Sequence, residues 1–116
     1  MATDTMRTFD TGATRNTETG KPDYSGYLSP HALQRYGAYM LKHQVQTDGS
    51  VRSSSNWKLG IPLTSYKESL VRHVIDFWAA FEAGNMEEAE ELACAILFNT
   101  QGFLHERLNQ TKCPFS

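Results

Sequence analysis

Three residues of one predicted helix carry the side chains of a hydrolytic triad. Ser69, His73 and Asp76 fall on one flank of the helix predicted over residues 63–83, because each residue turns a helix by about 100°. Side chains stacked along one helix leave no oxyanion hole and no strained nucleophile, so nucleophilic catalysis is not predicted. Two interpretations of His73 stay open. It is either a histidine at the border of the core that pairs with a carboxylate, or a histidine that contacts a phosphate or a catalytic water.

A second set of polar residues lies on the next helix, predicted over residues 86–109. Helical spacing places Glu88, Asn99 and Glu106 at nearly the same angle around this helix. The other residues on that line of the helix surface are partly apolar. A buried asparagine without hydrogen-bond partners costs roughly 1–3 kcal/mol. We therefore expect the Asn99 side chain to form hydrogen bonds either with a loop of the protein or with a ligand.

Carboxylates in these two helices are candidate metal ligands. Glu88 and Glu91 are three residues apart, and Asp76 belongs to the preceding helix. Carboxylate oxygens at this spacing could hold a divalent cation, and Mg²⁺ or Mn²⁺ is expected if the protein is catalytic. The alternative is that glutamates in a first helical turn are solvated charges that stabilise the helix N-terminus.

The segment "TGATRNTETGKPDYSGYLSP", residues 11–30, holds the third candidate site. Arg15 and Lys21 lie among glycines and threonines, whose backbone N–H groups and hydroxyls can approach an anion. It is not a P-loop, because Lys21 is followed by Pro22. Tyr24 and Trp57 could stack on a base, although packing within the protein is the alternative.

Apolar spacing predicts the elements that must position these residues. Three helices are predicted over residues 30–43, 63–83 and 86–109, and Gly84-Asn85 makes the last two an antiparallel hairpin. Asp48-Gly49 is a β-hairpin signal, for which a small ribbon and a plain loop are both open. The predicted fold is all-α: a small helical bundle with a long ordered N-terminal loop.

Length and charge limit the classes of function. The 116 residues predict one helical domain over residues 11–112, with a flexible N-terminus over 1–10 and a tail over 113–116. A net charge of −2 favours neither nucleic acid nor membrane as a partner. No apolar run predicts a membrane span or a signal peptide, so a cytoplasmic protein is expected. The broad aromatic-rich face of the second helix predicts a homo-oligomer.

Several segments together resemble a known phage family. They are "GATRNTETGKPDYSGYLSP", "LQRYGAYM", "DGSVRSSSNWKLGIP", "YKESLVRHVIDFW" and "EELACAILFNTQGFLHE", which cover about residues 10–107. This ordered set resembles the N-terminal domain of phage dATP/dGTP diphosphohydrolases, a group linked to all-α nucleotide pyrophosphohydrolases of the MazG type. The MazG-type signature of two glutamate pairs on one helix and a Glu/Asp pair on the next is not met. The second helix offers only Glu68 and Asp76, and the third offers "EEAEE".

The resemblance implies a viral protein that acts on or binds a nucleotide in the cytoplasm of an infected bacterium. It also implies that the leader contributes to a ligand site with residues of the helical region. The implied ligand-binding residues are Arg15, Lys21, Tyr24, Asn56, Trp57, Arg72, His73 and Asn99.

Three hypotheses about function stay open. The first is a protein that binds a nucleotide or nucleotide-derived phosphate and sequesters it without turnover. The second is a metal-dependent (deoxy)purine nucleoside triphosphate pyrophosphohydrolase acting on dATP or dGTP. The third is a non-catalytic interaction module whose polar residues hold the loop onto the helices.

Overall fold

The computed structural model describes residues 6–8, 10–16 and 20–112 of the chain. Most of this part is helical, which confirms the predicted all-α helical fold. Backbone contacts divide the chain into two compact units, one ending at Pro30 and one beginning at His31. None of the helices in the described ranges is both long and apolar enough to cross a bilayer. Residues 1–5 and 9 of the predicted flexible N-terminus, and the predicted tail 113–116, lie outside the described residues.

The first unit contains two short strands and one helical turn. Strands β1 (Met6–Thr8) and β2 (Thr14–Asn16) pair in antiparallel register, with Arg7 opposite Arg15. Helix α1 (Tyr24–Tyr27) begins after Asp23, whose Oδ1 accepts the backbone N–H of Gly26 at 3.2 Å. Apolar spacing predicts none of these elements, because each is shorter than the window in which a period can be recognised.

The second unit is built on three long helices. They are α2 (Pro30–Gln44), α3 (Leu63–Glu82) and α4 (Met86–Lys112). All three predicted helices are confirmed, and α4 continues three residues beyond its predicted end.

The junction between α3 and α4 follows from two residues. The N–H of Gly84 donates to the carbonyl of Phe81 at 3.0 Å, and that of Asn85 donates to the carbonyl of Ala80 at 2.9 Å. These two bonds form a Schellman motif, which requires a positive φ at Gly84, here 74°. Asn85 Oδ1 then accepts the N–H of Glu88 at 3.2 Å and so caps α4. One dipeptide therefore ends a helix and starts the next, which reverses the chain direction.

The core of the second unit lies between α3 and α4. Ala80, Ala89 and Leu92 form a buried cluster, with Phe77 packed against it. Toward the other end of the hairpin, the buried ring of Tyr66 lies against Gly102 and 6.0 Å from the ring of Phe98. Because alanine and glycine leave room at these positions, the two helices pack closely along their length.

Ion pairs connect α2 to α4. Arg35 Nε lies 3.0 Å from Glu90 Oε1, and Arg35 Nη2 lies 3.7 Å from Glu91 Oε2. Lys42 donates to the other oxygen of Glu91. The two cations are seven residues apart on α2, which places them on one face of that helix.

Between α2 and α3 the chain makes a small ribbon and a 3₁₀ turn. Val45 and Val51 form an antiparallel bridge across Asp48-Gly49, so the β-hairpin forms, reduced to one bridge. The 3₁₀ turn, Asn56–Leu59, follows the ribbon.

Candidate functional site

The second unit contains a cavity of about 490 Å³, within the size range of small-molecule sites. Its walls come from the C-terminal half of α2, the segment between α2 and α3, and one residue of α4. The lining residues are Gly37, Tyr39, Met40, Leu41, His43, Gln44, Arg52, Ser53, Ser54, Asn56, Trp57, Ile61 and Phe98.

Arg52 is held at the cavity by the small ribbon. Its backbone N–H donates to the carbonyl of Gln44 at 2.8 Å, which ties the ribbon to the end of α2. Its guanidinium Nη2 donates to Gln46 Oε1 at 3.3 Å. Asp48 accepts both the N–H and the hydroxyl of Ser50, at 2.9 and 2.6 Å. These bonds lower the pKa of Asp48 and hold the turn in one conformation.

Trp57 is held by the 3₁₀ turn on one side and by α4 on the other. Ser53 accepts the N–H of Asn56 on its backbone carbonyl at 3.0 Å, which starts the turn. The indole meets the ring of Phe98 edge-on, with centroids 6.4 Å apart, and the ring of His105 at 4.8 Å. Lys58 Nζ lies 5.5 Å from the indole centroid. An aromatic side chain with this many contacts presents a fixed surface to the cavity.

The cavity is lined by aromatic, hydrogen-bonding and basic side chains. Arg52 and His43 are its basic residues, and no Asp or Glu of the described ranges lines it. The rings of Tyr39 and His43 pack with centroids 4.3 Å apart. Burial, with the charge of Glu91, raises the pKa of Tyr39, so its hydroxyl stays protonated at neutral pH and can donate a hydrogen bond.

Two of the predicted ligand-binding residues, Asn56 and Trp57, line this cavity. Arg72 is exposed on α3, and its Nη2 donates to Ser69 Oγ at 3.2 Å. His73 is half-buried, and its buried Nδ1 has no hydrogen-bond partner. Neither of these two residues lines the cavity.

Asn99 is buried, as its place on an apolar line suggested. Its Nδ2 donates to the carbonyl of Ala95 at 2.8 Å, one turn earlier in α4. That bond is local to the helix, a third outcome beside the loop and ligand contacts considered above. Asn99 does not line the cavity.

The remaining predicted ligand-binding residues belong to the first unit. Arg15 lies in β2 opposite Arg7. Lys21 and Tyr24 are exposed, Tyr24 as the first residue of α1. Their contribution to a ligand site stays a prediction.

The predicted metal ligands differ in their surroundings. Glu91 pairs with Arg35 and Lys42, and these cations hold its pKa below the usual range. Glu88 and Asp76 are exposed. In the described ranges, no group of three or more His, Cys, Asp or Glu side chains is arranged to hold a metal ion.

The residues that sequence reasoning missed are Arg52, His43, Tyr39 and Phe98. Arg52 follows the hairpin signal directly, so pairing of Val45 with Val51 brings it back to the end of α2, beside His43. Phe98 was not identified from the sequence, because helical spacing alone does not distinguish a residue that lines a cavity from a residue in the core.

Comparison of the chain with protein-family models, with curated proteins and with solved structures finds no match.

Proposed function

We propose that the protein binds a small nucleotide-type ligand, a heteroaromatic ring that carries phosphate, in the cavity between α2 and α4, without turning it over. The observation that carries this proposal is the character of the lining: among the residues that the structure describes, it has three aromatic rings, two basic side chains and no carboxylate.

The aromatic part of the lining supports a planar ligand. Trp57 is braced by Phe98 and His105, so its indole loses little conformational freedom when a base stacks on it. Stacking of a base on an aromatic side chain contributes about 1–3 kcal/mol. Gln44, Ser53 and Asn56 add side chains that can bond to base or sugar edges.

The basic part of the lining supports an anionic group. Arg52 can present two parallel N–H donors to a phosphate, and His43 also lines the cavity. Because no carboxylate among the described lining residues repels it, a phosphate gains from both side chains. The chain has a net charge of −2, so this basic character is local to the cavity.

The same lining favours binding over metal-dependent hydrolysis. Hydrolases of that kind hold Mg²⁺ or Mn²⁺ on carboxylates beside the phosphates. No carboxylate from the described part of the chain lines this cavity, and Glu91 on the neighbouring helix is already paired with Arg35 and Lys42.

A thermal-shift panel tests the proposal. Purine and pyrimidine nucleoside mono-, di- and triphosphates, in ribo and deoxy forms, are compared with the matching nucleosides and with inorganic phosphate, each with and without Mg²⁺ and Mn²⁺. We expect at least one nucleotide to raise the melting temperature without product formation, since a ligand that binds only the folded state stabilises it.

Arg52→Ala should weaken binding of that nucleotide about 10- to 150-fold, the loss expected for one charge-assisted phosphate contact of roughly 1.5–3 kcal/mol. It should leave binding of the matching nucleoside unchanged. Arg107→Ala removes an exposed arginine of α4 outside the cavity and is the matched control.

Two results would reject the proposal in favour of the alternatives. Metal-dependent loss of a nucleoside triphosphate, followed by chromatography, would indicate the hydrolase. No shift with any nucleotide would leave the interaction module as the better reading.

A further inference from the structure

Helix α3 carries an apolar stripe that the rest of the second unit leaves exposed. It consists of Val71, Val74, Ile75, Trp78 and Phe81, which are 50, 44, 58, 66 and 56% exposed. At about 100° per residue the middle of this α3 stripe lies about 135° around the helix from the line of Tyr66 and Ala80 that packs on α4. It is therefore a separate face of α3, beside the core.

Four of the five residues of the α3 stripe pair symmetrically about one point, while the symmetry counterpart of Phe81 is Glu68. Val71 and Trp78 are equally far from its centre, the point midway between Val74 and Ile75. One turn beyond them, on the same line of the helix, stand Lys67 and Glu82. Both charged residues are exposed, and Lys67 has only an exposed pair with Glu68, at 3.6 Å.

We propose that the α3 stripe is the interface of a two-fold dimer, in which α3 packs antiparallel on the α3 of a second copy of this chain. A two-fold axis midway between Val74 and Ile75 places Val71 on Trp78 of the partner subunit. The same axis places Lys67 beside Glu82 of the partner subunit at both ends of the stripe. A parallel arrangement would instead bring like charges together at each end.

The size of the stripe agrees with this occupant. Five side chains exposed to this extent leave roughly 500 Å² for contact, somewhat below the 800 Å² or so per partner of a standard interface, and the long side chains at both ends add to it. Trp78 is the most exposed of the five and is the kind of residue that anchors an interface. An isologous interface must be complementary to itself, and a stripe with a cation at one end and a carboxylate at the other meets that condition.

Sedimentation velocity from 1 to 100 µM tests the interface. We expect the wild-type chain to form a dimer in this range and Trp78→Asp to be a monomer, because burying an unpaired carboxylate at the centre of an apolar interface is costly. Leu59→Asp is the matched control, since Leu59 is 86% exposed and lies outside α3. Helical circular dichroism of both variants checks that they fold. A monomeric wild type, or a Trp78→Asp dimer, would overturn the proposal.

Charge reversal tests the antiparallel register. Lys67→Glu and Glu82→Lys should each raise the dimer dissociation constant roughly tenfold, because each places two like-charged pairs in the interface. The double variant, Lys67→Glu with Glu82→Lys, restores opposite charges and should dimerise like the wild type. Single variants that dimerise normally, or a double variant no better than the singles, would reject this register.

The interface is independent of the proposed ligand site. No residue of α3 lines the cavity, so monomeric Trp78→Asp should keep the nucleotide-induced shift of its melting temperature. Loss of dimerisation and loss of binding can then be told apart.

Discussion

Tyr66 combines deep burial with an unpaired hydroxyl. Its side chain is 2% exposed, and its hydroxyl oxygen has no hydrogen-bond partner. Burial, with the charge of Glu106, raises the pKa of this phenol, so it is neutral at physiological pH. The ring fits only because residue 102 is glycine: a Cβ there would lie 2.6 Å from the hydroxyl oxygen and closer still to ring carbons.

Tyr66→Phe should therefore stabilise the protein or leave it unchanged. The ring and its contact with Gly102 are kept, while the desolvation cost of an unpaired hydroxyl, about 1 kcal/mol or more, is removed. For a domain of this size that corresponds to a melting temperature about 4–8 °C higher, measured by circular dichroism.

Tyr36→Phe is the control for this substitution, because Tyr36 is half-buried on α2 and its hydroxyl is not among the unpaired buried atoms. A Tyr66→Phe variant that melts several degrees below the wild type would mean that the hydroxyl has a stabilising partner in solution.

At this scale, spacing predicted burial better than it predicted contacts. The apolar line of α4 correctly indicated that Asn99 is buried, but its bond to the carbonyl of Ala95 could not be distinguished from a loop or ligand contact. Which atom a polar side chain reaches depends on the distances between packed elements. The spacing of apolar residues along the sequence does not give these distances.

Local signals were sufficient for the α3–α4 hairpin and insufficient for the position of α2. Gly84-Asn85 defines the hairpin because the Schellman motif and the cap involve only neighbouring residues. The ion pairs of Arg35 and Lys42 with Glu91 join residues about 50 positions apart in the sequence. The spacing of charged residues on one helix does not indicate which residue of another helix they pair with. The glutamates near the start of α4 were accordingly predicted as metal ligands or solvated charges.

The contact between α2 and α4 should weaken in acid. Lys42 and Arg35 lower the pKa of Glu91 in the folded state from an ordinary value of 4.5. A carboxylate with a depressed pKa stabilises the folded state above its unfolded pKa, and this contribution is lost as the pH falls through the folded pKa. The stabilising effect of Glu91 should therefore be complete at pH 7 and fall below about pH 4.5.

Glu91→Gln isolates this contribution. Melting temperatures of wild type and variant, measured from pH 7 to pH 3, should differ at neutral pH and converge in acid. Glu87→Gln, at an exposed glutamate about one turn earlier in α4, is the control and should show a smaller difference at pH 7. A Glu91→Gln difference that stays constant across this range would show that the charge of Glu91 is not what stabilises the contact.

For the whole molecule, the predicted class was confirmed because three long helices dominate the described chain. Asn56 and Trp57, which line the cavity, were among the predicted ligand-binding residues, while Arg52, His43 and Phe98 come from three segments that meet only after folding. The leader contains two paired strands and a capped turn that no period in the sequence indicates. Short elements depend on single hydrogen bonds and turn residues, for which pattern reasoning has little statistical weight.

Dimerisation through the α3 stripe has a consequence for the stability of the whole molecule. Because unfolding would then release two chains from one folded dimer, each tenfold rise in protein concentration favours the dimer by about 1.4 kcal/mol. Shared between two chains with the usual unfolding entropy per residue, this raises the melting temperature by about 3 °C per tenfold. Reversible melts of the wild type from 1 to 100 µM should show this slope above the dissociation constant. Trp78→Asp should melt at one temperature throughout, and Leu59→Asp, which keeps the stripe, should follow the wild-type slope. A wild-type melting temperature that does not change with concentration would mean that the α3 stripe stays exposed in the native protein.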